Sequence, residues 1–332
     1  MVGRKVVWFF GAGASRGAGA YTTAQKKGKI YIPTQADFWS TVLKYSSVAD
    51  RHVIESFLFH YFKMSGIPAK LNHPTRAKLL NNINVEEVFT FLSERMSTET
   101  ISPSLRTYFG NTVWPTLLRS VTNTLSHFDA NNETRKVYRN FNNLLLRARD
   151  SIVSFNYDII LEKSLPTSSN WYYVPLRQTG IPLFKPHGSI NWRIKKNGQL
   201  RFLKNPTNAA VIIAPTHLKF VSINQAESQP KAGFFNQANE IPKIWSEMEK
   251  DMRQAKALVF IGYSFPDADL YFSSVMRSVF EAANKNILIL IVNPDAVRIS
   301  ERLRQRFAVK GRVKSYFDFE TFCKGTRTDI LR

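Results

Sequence analysis

Residues 6–21 read VVWFFGAGASRGAGAY. Five apolar residues, Val6 to Phe10, end at once in Gly11, Ala12, Gly13, Ala14 and Ser15, which carry almost no side chain. A run of this length bounded by glycine reads as a buried β-strand. The small residues after it imply that something approaches the backbone closely, and a phosphate at a strand-to-helix turn is one candidate. The stretch is not a full dinucleotide fingerprint, because Arg16 stands where G-x-G-x-x-G requires its third glycine.

Outward from this strand, the second half of the chain repeats the pattern. SIVSF (151–155), the PLFK of GIPLFKPHGSINW (180–192), AAVIIAP (209–215), KALVFIGYSF (256–265), NILILIVNPD (286–295) and GRVKSYF (311–317) read as strands. Helical stretches separate most of them: NYDIILEKSL, EIPKIWSEMEKDMRQA with Ile244, Met248 and Met252 on one face, PDADLYFSSVMRSVFEAA starting at Pro266 and Asp267, and AVRISERLRQRF. Continuous apolar strands alternating with helices mark a parallel sheet covered on both faces. The expected fold is therefore α/β, a doubly wound Rossmann-like parallel sheet.

The stretch between about Pro33 and Arg149 reads almost wholly as helices. TQADFWSTVLKY opens on Thr34 as a cap and puts Phe38, Val42 and Tyr45 on one face. VEEVFTFLSERM places Glu86 and Glu87 in a first turn, and Pro115 is expected to kink or break the helix around it. The domain expectation is a Rossmann-like domain from residues 1–33 and 150–332, with a helical insertion, 34–149, after the first strand.

In a doubly wound sheet, ligands bind at the carboxyl ends of strands beside a topological switch point. The residues expected there are Gly11 to Ser15, Asn156 and Asp158 in FNYD, His187 and Gly188 in PHGS, Gly262, Ser264, Asp267 and Asp269 in GYSFPDAD, and Asn293 and Asp295 in NPD. Each alone has an ordinary explanation as a turn or a helix cap. Their common position at strand ends points to one crevice.

The 332 residues, 44% of them hydrophobic, suffice for a sizeable core. One cysteine, Cys323, excludes an internal disulfide and any zinc site built on paired cysteines, and six histidines show no ligand spacing. No metal is expected. The N-terminus shows no signal peptide, no apolar run reaches the ~18 residues of a membrane span, and a cytoplasmic location is expected. The formal net charge is +21. Its cations concentrate in segments 185–204 and 298–314, candidate surfaces for nucleic acid or an acidic partner.

The order GAGAS, S-x-N-x-D, HG, GYS and VN resembles the sirtuins, which read GAG-x-S, T-Q-N-x-D, HG, GTS and an asparagine after the next strand. KPHGSINW, IGYSFPDAD and the helical insertion are similar to the sirtuin-like effectors of bacterial anti-phage defence. The chain departs from sirtuin deacylases in lacking the four-cysteine zinc ribbon, in Phe155 at the glutamine position, and in the P-x-F-R stretch, whose nearest text is IPTQADFW. The losses fall on the zinc module and the acyl-lysine site, so the resemblance implies cleavage of NAD as substrate more than deacylation.

The resemblance also implies roles. The backbone of Gly11, Ala12, Gly13 and Ser15 would hold the diphosphate, Asp158 the nicotinamide carboxamide, and Asn156 the ribose or an attacking water. His187 would be the proton acceptor, with an ordinary pKa near 6.5 that suits a base at neutral pH. Gly262, Ser264 and Asn293 would line the adenosine half. The expected activity is NAD+ hydrolysis in abortive infection, gated by a homo-oligomer or by a partner protein encoded nearby that senses infection. The alternatives are an NAD-dependent deacylase and a non-catalytic module sensing NAD or ADP-ribose.

Overall fold

The computed structural model describes residues 5–24, 28–62, 79–80, 82–97, 101–176, 179–207, 210–213, 240–267, 269–283, 287–307, 309 and 311–331. The chain divides into two compact units. One comprises Met1–Ile32, Phe128–Gly188 and Glu240–Arg332, and the other Pro33–His127 and Ser189–Asn239.

The first unit holds a seven-stranded sheet. Its strands, numbered in chain order, are β1 (Val6–Phe10), β2 (Ser151–Ser154), β3 (Trp171–Tyr173), β4 (Ile181–Phe184), β5 (Ala257–Ile261), β6 (Leu288–Val292) and β7 (Val313–Tyr316). The order across the sheet is β7-β6-β5-β1-β2-β4-β3, and every neighbouring pair is parallel. With its flanking helices this is the Rossmann-like fold read from the sequence. The apolar runs became strands because both faces are covered: β1, β2 and β5 are buried along their whole length. Trp8, Phe9 and Phe10 are wholly buried, each contributing roughly 1.5–3 kcal/mol. Phe9 stacks on Phe260 of β5 with ring centroids 4.4 Å apart.

From β1 the chain runs to β2, β3 and β4 on one side, then to β5, β6 and β7 on the other. The strand order therefore reverses between β1 and β5, and the carboxyl ends of these two strands form the switch point. The loops there are in backbone contact. Gly11 N–H donates to Ile261 O at 2.9 Å and Gly13 N–H to Gly262 O at 3.0 Å.

The opposite end of β1 is fixed by a buried carboxylate. Asp150 accepts from Val6 N–H at 3.0 Å and Trp8 Nε1 at 3.1 Å, and from Arg327 Nη2 at 2.9 Å and Nη1 at 2.5 Å. This ties the helix Arg327–Leu331 to the sheet. The helix Asn132–Asn140 also belongs to this unit, its Tyr138 ring 5.9 Å from Phe10 and 5.5 Å from Phe319. Contacts group residues 128–149 with the sheet.

In the second unit Thr34 and Asp37 form a reciprocal capping box ahead of the helix Phe38–Tyr45. Helices Val48–Tyr61, Val85–Ser97, Pro103–Tyr108 and Trp114–Ser126 follow. Pro115 lies in the first turn of the last, where its missing N–H costs nothing, and a π-helical turn, Phe109–Val113, precedes it. The irregularity expected at Pro115 thus sits one turn earlier. Of AAVIIAP, Val211–Ile212 is a strand outside the seven-stranded sheet. The rest of that stretch from residue 214 lies outside the described residues, as do 63–78 within the helical stretch.

Candidate functional site

The strand ends carry a buried polar group at the switch point. Ser15 lies in the short helix after β1, and its hydroxyl donates to both carboxylate oxygens of Asp158, at 3.3 and 3.2 Å. Asn156, just beyond β2, donates its Nδ2 to Gly11 O at 3.0 Å and to Ser15 Oγ at 3.2 Å. Asp158 in turn accepts Ile160 N–H at 2.9 Å, at the first residue of the helix Ile160–Ser164. Asn156 and Asp158 are 8% and 6% exposed and Ser15 is fully buried.

Three of the glycines have a structural reason that the sequence did not disclose. A Cβ at Gly11 would stand 2.6 Å from Gly262 O, one at Gly13 2.9 Å from Gly262 Cα, and one at Gly262 2.0 Å from Ala14 N. Gly262 also adopts φ +62°, in the left-handed region. The close approach implied by GAGAS is made by the loop after β5. The Gly11 and Gly13 N–H groups are engaged by Ile261 O and Gly262 O, so both are removed from the donors expected to meet a diphosphate.

Asp158 has its carboxyl pushed up to about 6, first by burial, with Lys185 pulling in the opposite direction. Lys185, at the end of β4, is fully buried. Its Nζ donates to the Asp158 carbonyl at 2.5 Å and to Glu162 Oε1 at 2.8 Å, and Tyr173 OH donates to the same Glu162 oxygen at 3.0 Å. Sequence reading placed Lys185 in a surface-charge segment, and the lysine before PHG gave no signal of burial.

His187, two residues beyond, is 2% exposed. Its ring lies 5.1 Å from Phe155 and 6.5 Å from Tyr157, the two neighbours of Asn156, and 6.1 Å from Trp245. Its Nε2 stands 3.4 Å from Asp269 Oδ2. The ends of β1, β2, β4 and β5 thus bring Ser15, Asn156, Asp158, His187 and the GYSFPDAD loop into one unit.

Other expected site residues make turn contacts. Ser264 is exposed, and its carbonyl accepts from Arg302. Asn293 accepts Asp295 N–H on its Oδ1 at 3.0 Å and opens the helix Ala296–Phe307. Several cations of segment 298–314 are occupied within this unit: Arg298 with Asp295, Arg306 with Asp267, and Lys314 with Ile330 O. In segment 185–204, Arg193, Lys195, Lys196, Arg201 and Lys204 are exposed, with Arg193 directly opposite Arg201 across the hairpin Trp192–Ile194 and Leu200–Phe202. Among the described residues no group of three His, Cys, Asp or Glu is placed to hold a metal ion. No helix among them is long and apolar enough to cross a membrane.

A family model described as the SIR2-like domain matches residues 150–312, the stretch that supplies β2 to β6 and every site residue except the β1 loop. Similar solved structures include a serine-to-alanine variant of a Sir2 homologue in complex with ADP-ribose, 12% identical, with 98% of this chain and 88% of that chain covered and a TM-score of 0.37. A histidine-to-tyrosine variant of Sir2 with a peptide and NAD is 12% identical, with 97% and 91% covered and a TM-score of 0.33. A structure addressing the mechanism and regulation of Sir2 enzymes is 10% identical, with 99% and 90% covered and a TM-score of 0.31. No curated protein matches the chain.

Proposed function

We propose that this chain binds NAD at the carboxyl ends of β1, β2, β4 and β5 and hydrolyses it to nicotinamide and ADP-ribose. The observation that carries the reading is the gathering of buried Asn156 and Asp158 around Ser15 and the switch-point glycines, with buried His187 against Phe155 and Tyr157, the two neighbours of Asn156. Binding alone requires no imidazole beside such a polar group. The donor set fits the substrate: a carboxylate to accept from the nicotinamide carboxamide, an asparagine for the ribose, and a histidine for a proton.

The bond between nicotinamide and ribose breaks through an oxocarbenium-like transition state. Nicotinamide leaves neutral, so the protein need not protonate it. Asp158 orients the carboxamide, and above pH ~6 its ionised form is the better acceptor. Asn156 holds the ribose or the incoming water, and its bonds to Gly11 O and Ser15 Oγ fix its amide in one orientation. His187 takes the proton as water adds to the anomeric carbon. With the Gly11 and Gly13 N–H groups engaged, the diphosphate is left to the other backbone donors of the loop.

In the cell the reading is an anti-phage effector that depletes NAD, restrained until a partner protein or oligomer assembly releases it. Equilibrium binding of NAD to His187→Ala protein, which keeps Ser15, Asn156 and Asp158, tests the site independently of turnover. Retained binding is expected, and no binding by wild type or variant contradicts the assignment.

A further inference from the structure

The motif GYSFPDAD ends in two acids with different fates. Asp267 is exposed and pairs with Arg306 Nη1 at 2.9 Å. Asp269 is 1% exposed. Its Oδ1 accepts Phe272 N–H at 3.3 Å, its Oδ2 accepts Tyr263 OH at 2.8 Å, and the same Oδ2 stands 3.4 Å from His187 Nε2.

Taking a carboxylate out of water costs several kcal/mol unless donors compensate it. Capping the helix Leu270–Ala283 explains Oδ1 alone, and a neutral asparagine or serine would cap as well. Tyr263 OH supplies one donor to Oδ2, and the same oxygen faces His187 Nε2 at 3.4 Å, longer than a formed N–H···O bond. A proton on Nε2 would make a charge-assisted contact there, of the kind that is long before substrate arrives and tightens in the complex.

The surroundings fix Asp269 in place. Arg302 donates to the carbonyls of Ser264 and, at 3.2 Å, of Phe265, and Arg306 Nη2 donates to Ser273 Oγ at 2.8 Å. Phe265 is held at φ +53°. The Tyr263 ring stacks on Phe155 with centroids 4.6 Å apart. The loop carrying Asp269 is thus clamped by the helix Ala296–Phe307 on one side and seated against the neighbour of Asn156 on the other.

We infer that Asp269 is a positioning residue for His187: its carboxylate holds the imidazole as the Nε2–H tautomer and leaves Nδ1 as the atom that accepts a proton. The assignment of that proton to the reaction rests on the NAD reading, whereas the tautomer does not. An imidazole held this way is both oriented and stabilised when it becomes charged.

The test uses full-length protein labelled with ¹⁵N-histidine, as wild type, Asp269→Asn and Asp269→Ser. Both variants keep an acceptor for Phe272 N–H, and the spectra themselves report whether each is folded. Long-range ¹H–¹⁵N correlation at pH 8, assigned with His187→Gln, is expected to show Nε2–H for His187 in wild type and Nδ1–H or a mixture in both variants. Where nicotinamide release is measurable, kcat is expected to fall by roughly 10²–10⁴-fold, the range for a lost general base, with KM little changed. Nδ1–H in wild type, or unaltered Nε2–H in both variants, overturns the inference. A wild type with the expected tautomer that releases no nicotinamide under any condition removes the NAD reading and leaves the positioning role standing.

Discussion

Gly13 donates its backbone N–H to the carbonyl of Gly262 at 3.0 Å, joining the end of β1 to the end of β5 where the strand order of the sheet reverses. The two loops interlock with no side chain between them. The site is built on this contact, because Ser15, two residues beyond Gly13, organises Asn156 and Asp158.

Gly262→Ala is accordingly expected to destabilise the fold. The new Cβ would overlap Ala14 N at 2.0 Å and sit on a backbone with φ +62°. Left-handed strain alone costs about 1–3 kcal/mol, and the overlap adds to it. Gly13→Val acts in the same way, through the loop contact and not only through a bound phosphate. Denaturant unfolding checks both, and unchanged midpoints would show that the loops separate without cost.

Asp158 predicts a pH dependence of unusual sign. An unfolded aspartate titrates near 3.8 and the folded one at about 6. Between these values the folded chain keeps a proton that the unfolded chain has lost. Folding stability therefore falls as pH rises across that window, by at most ~1.4 kcal/mol per pH unit from this group, and levels off above it. Asp158→Asn removes that contribution. Unfolding free energies of wild type and variant from pH 4 to 7 measure the difference, and parallel profiles would contradict it.

The buried ion pair of Lys185 and Glu162 gives a further expectation. Lys185→Met leaves Glu162 uncompensated with Tyr173 as its remaining donor among those described above, and a broken buried pair costs about 3–5 kcal/mol. Lys185→Met with Glu162→Gln restores part of it. Equal losses in the single and double variants would show that the pair is not coupled.

Arg327→Ala tests the opposite end of β1. It strips two donors from Asp150, a fully buried carboxylate, and is expected to destabilise by a similar amount without touching the residues around Ser15. Thermal unfolding reads this, and a shift no larger than that of an exposed arginine such as Arg304 would contradict it.

The parallel sheet was legible because its strands are buried on both faces and read as continuous apolar runs. Strands that owe their existence to pairing were not: β3, Trp171–Tyr173, is three residues long, and the antiparallel pair Tyr21–Ala24 with Gly28–Tyr31 lies in polar sequence. Strand-end position was enough to single out Asn156, Asp158 and His187 as candidates. It could not separate Asp269 from Asp267, two residues away, because only the fold decides which carboxylate turns inward. The same holds for Lys185, which sequence alone groups with the exposed cations after it, and for Gly11 and Gly13, whose neighbour is another backbone loop 250 residues on.

The most direct test is release of nicotinamide from NAD by the purified chain, assayed alone and together with the product of the neighbouring gene. The account predicts release by wild type in the assembled, triggered state, and loss of roughly 10²–10⁴-fold in His187→Ala with the fold intact. Undiminished turnover in His187→Ala would show that the base lies elsewhere, and no release by folded wild type in any assembly would contradict the central claim.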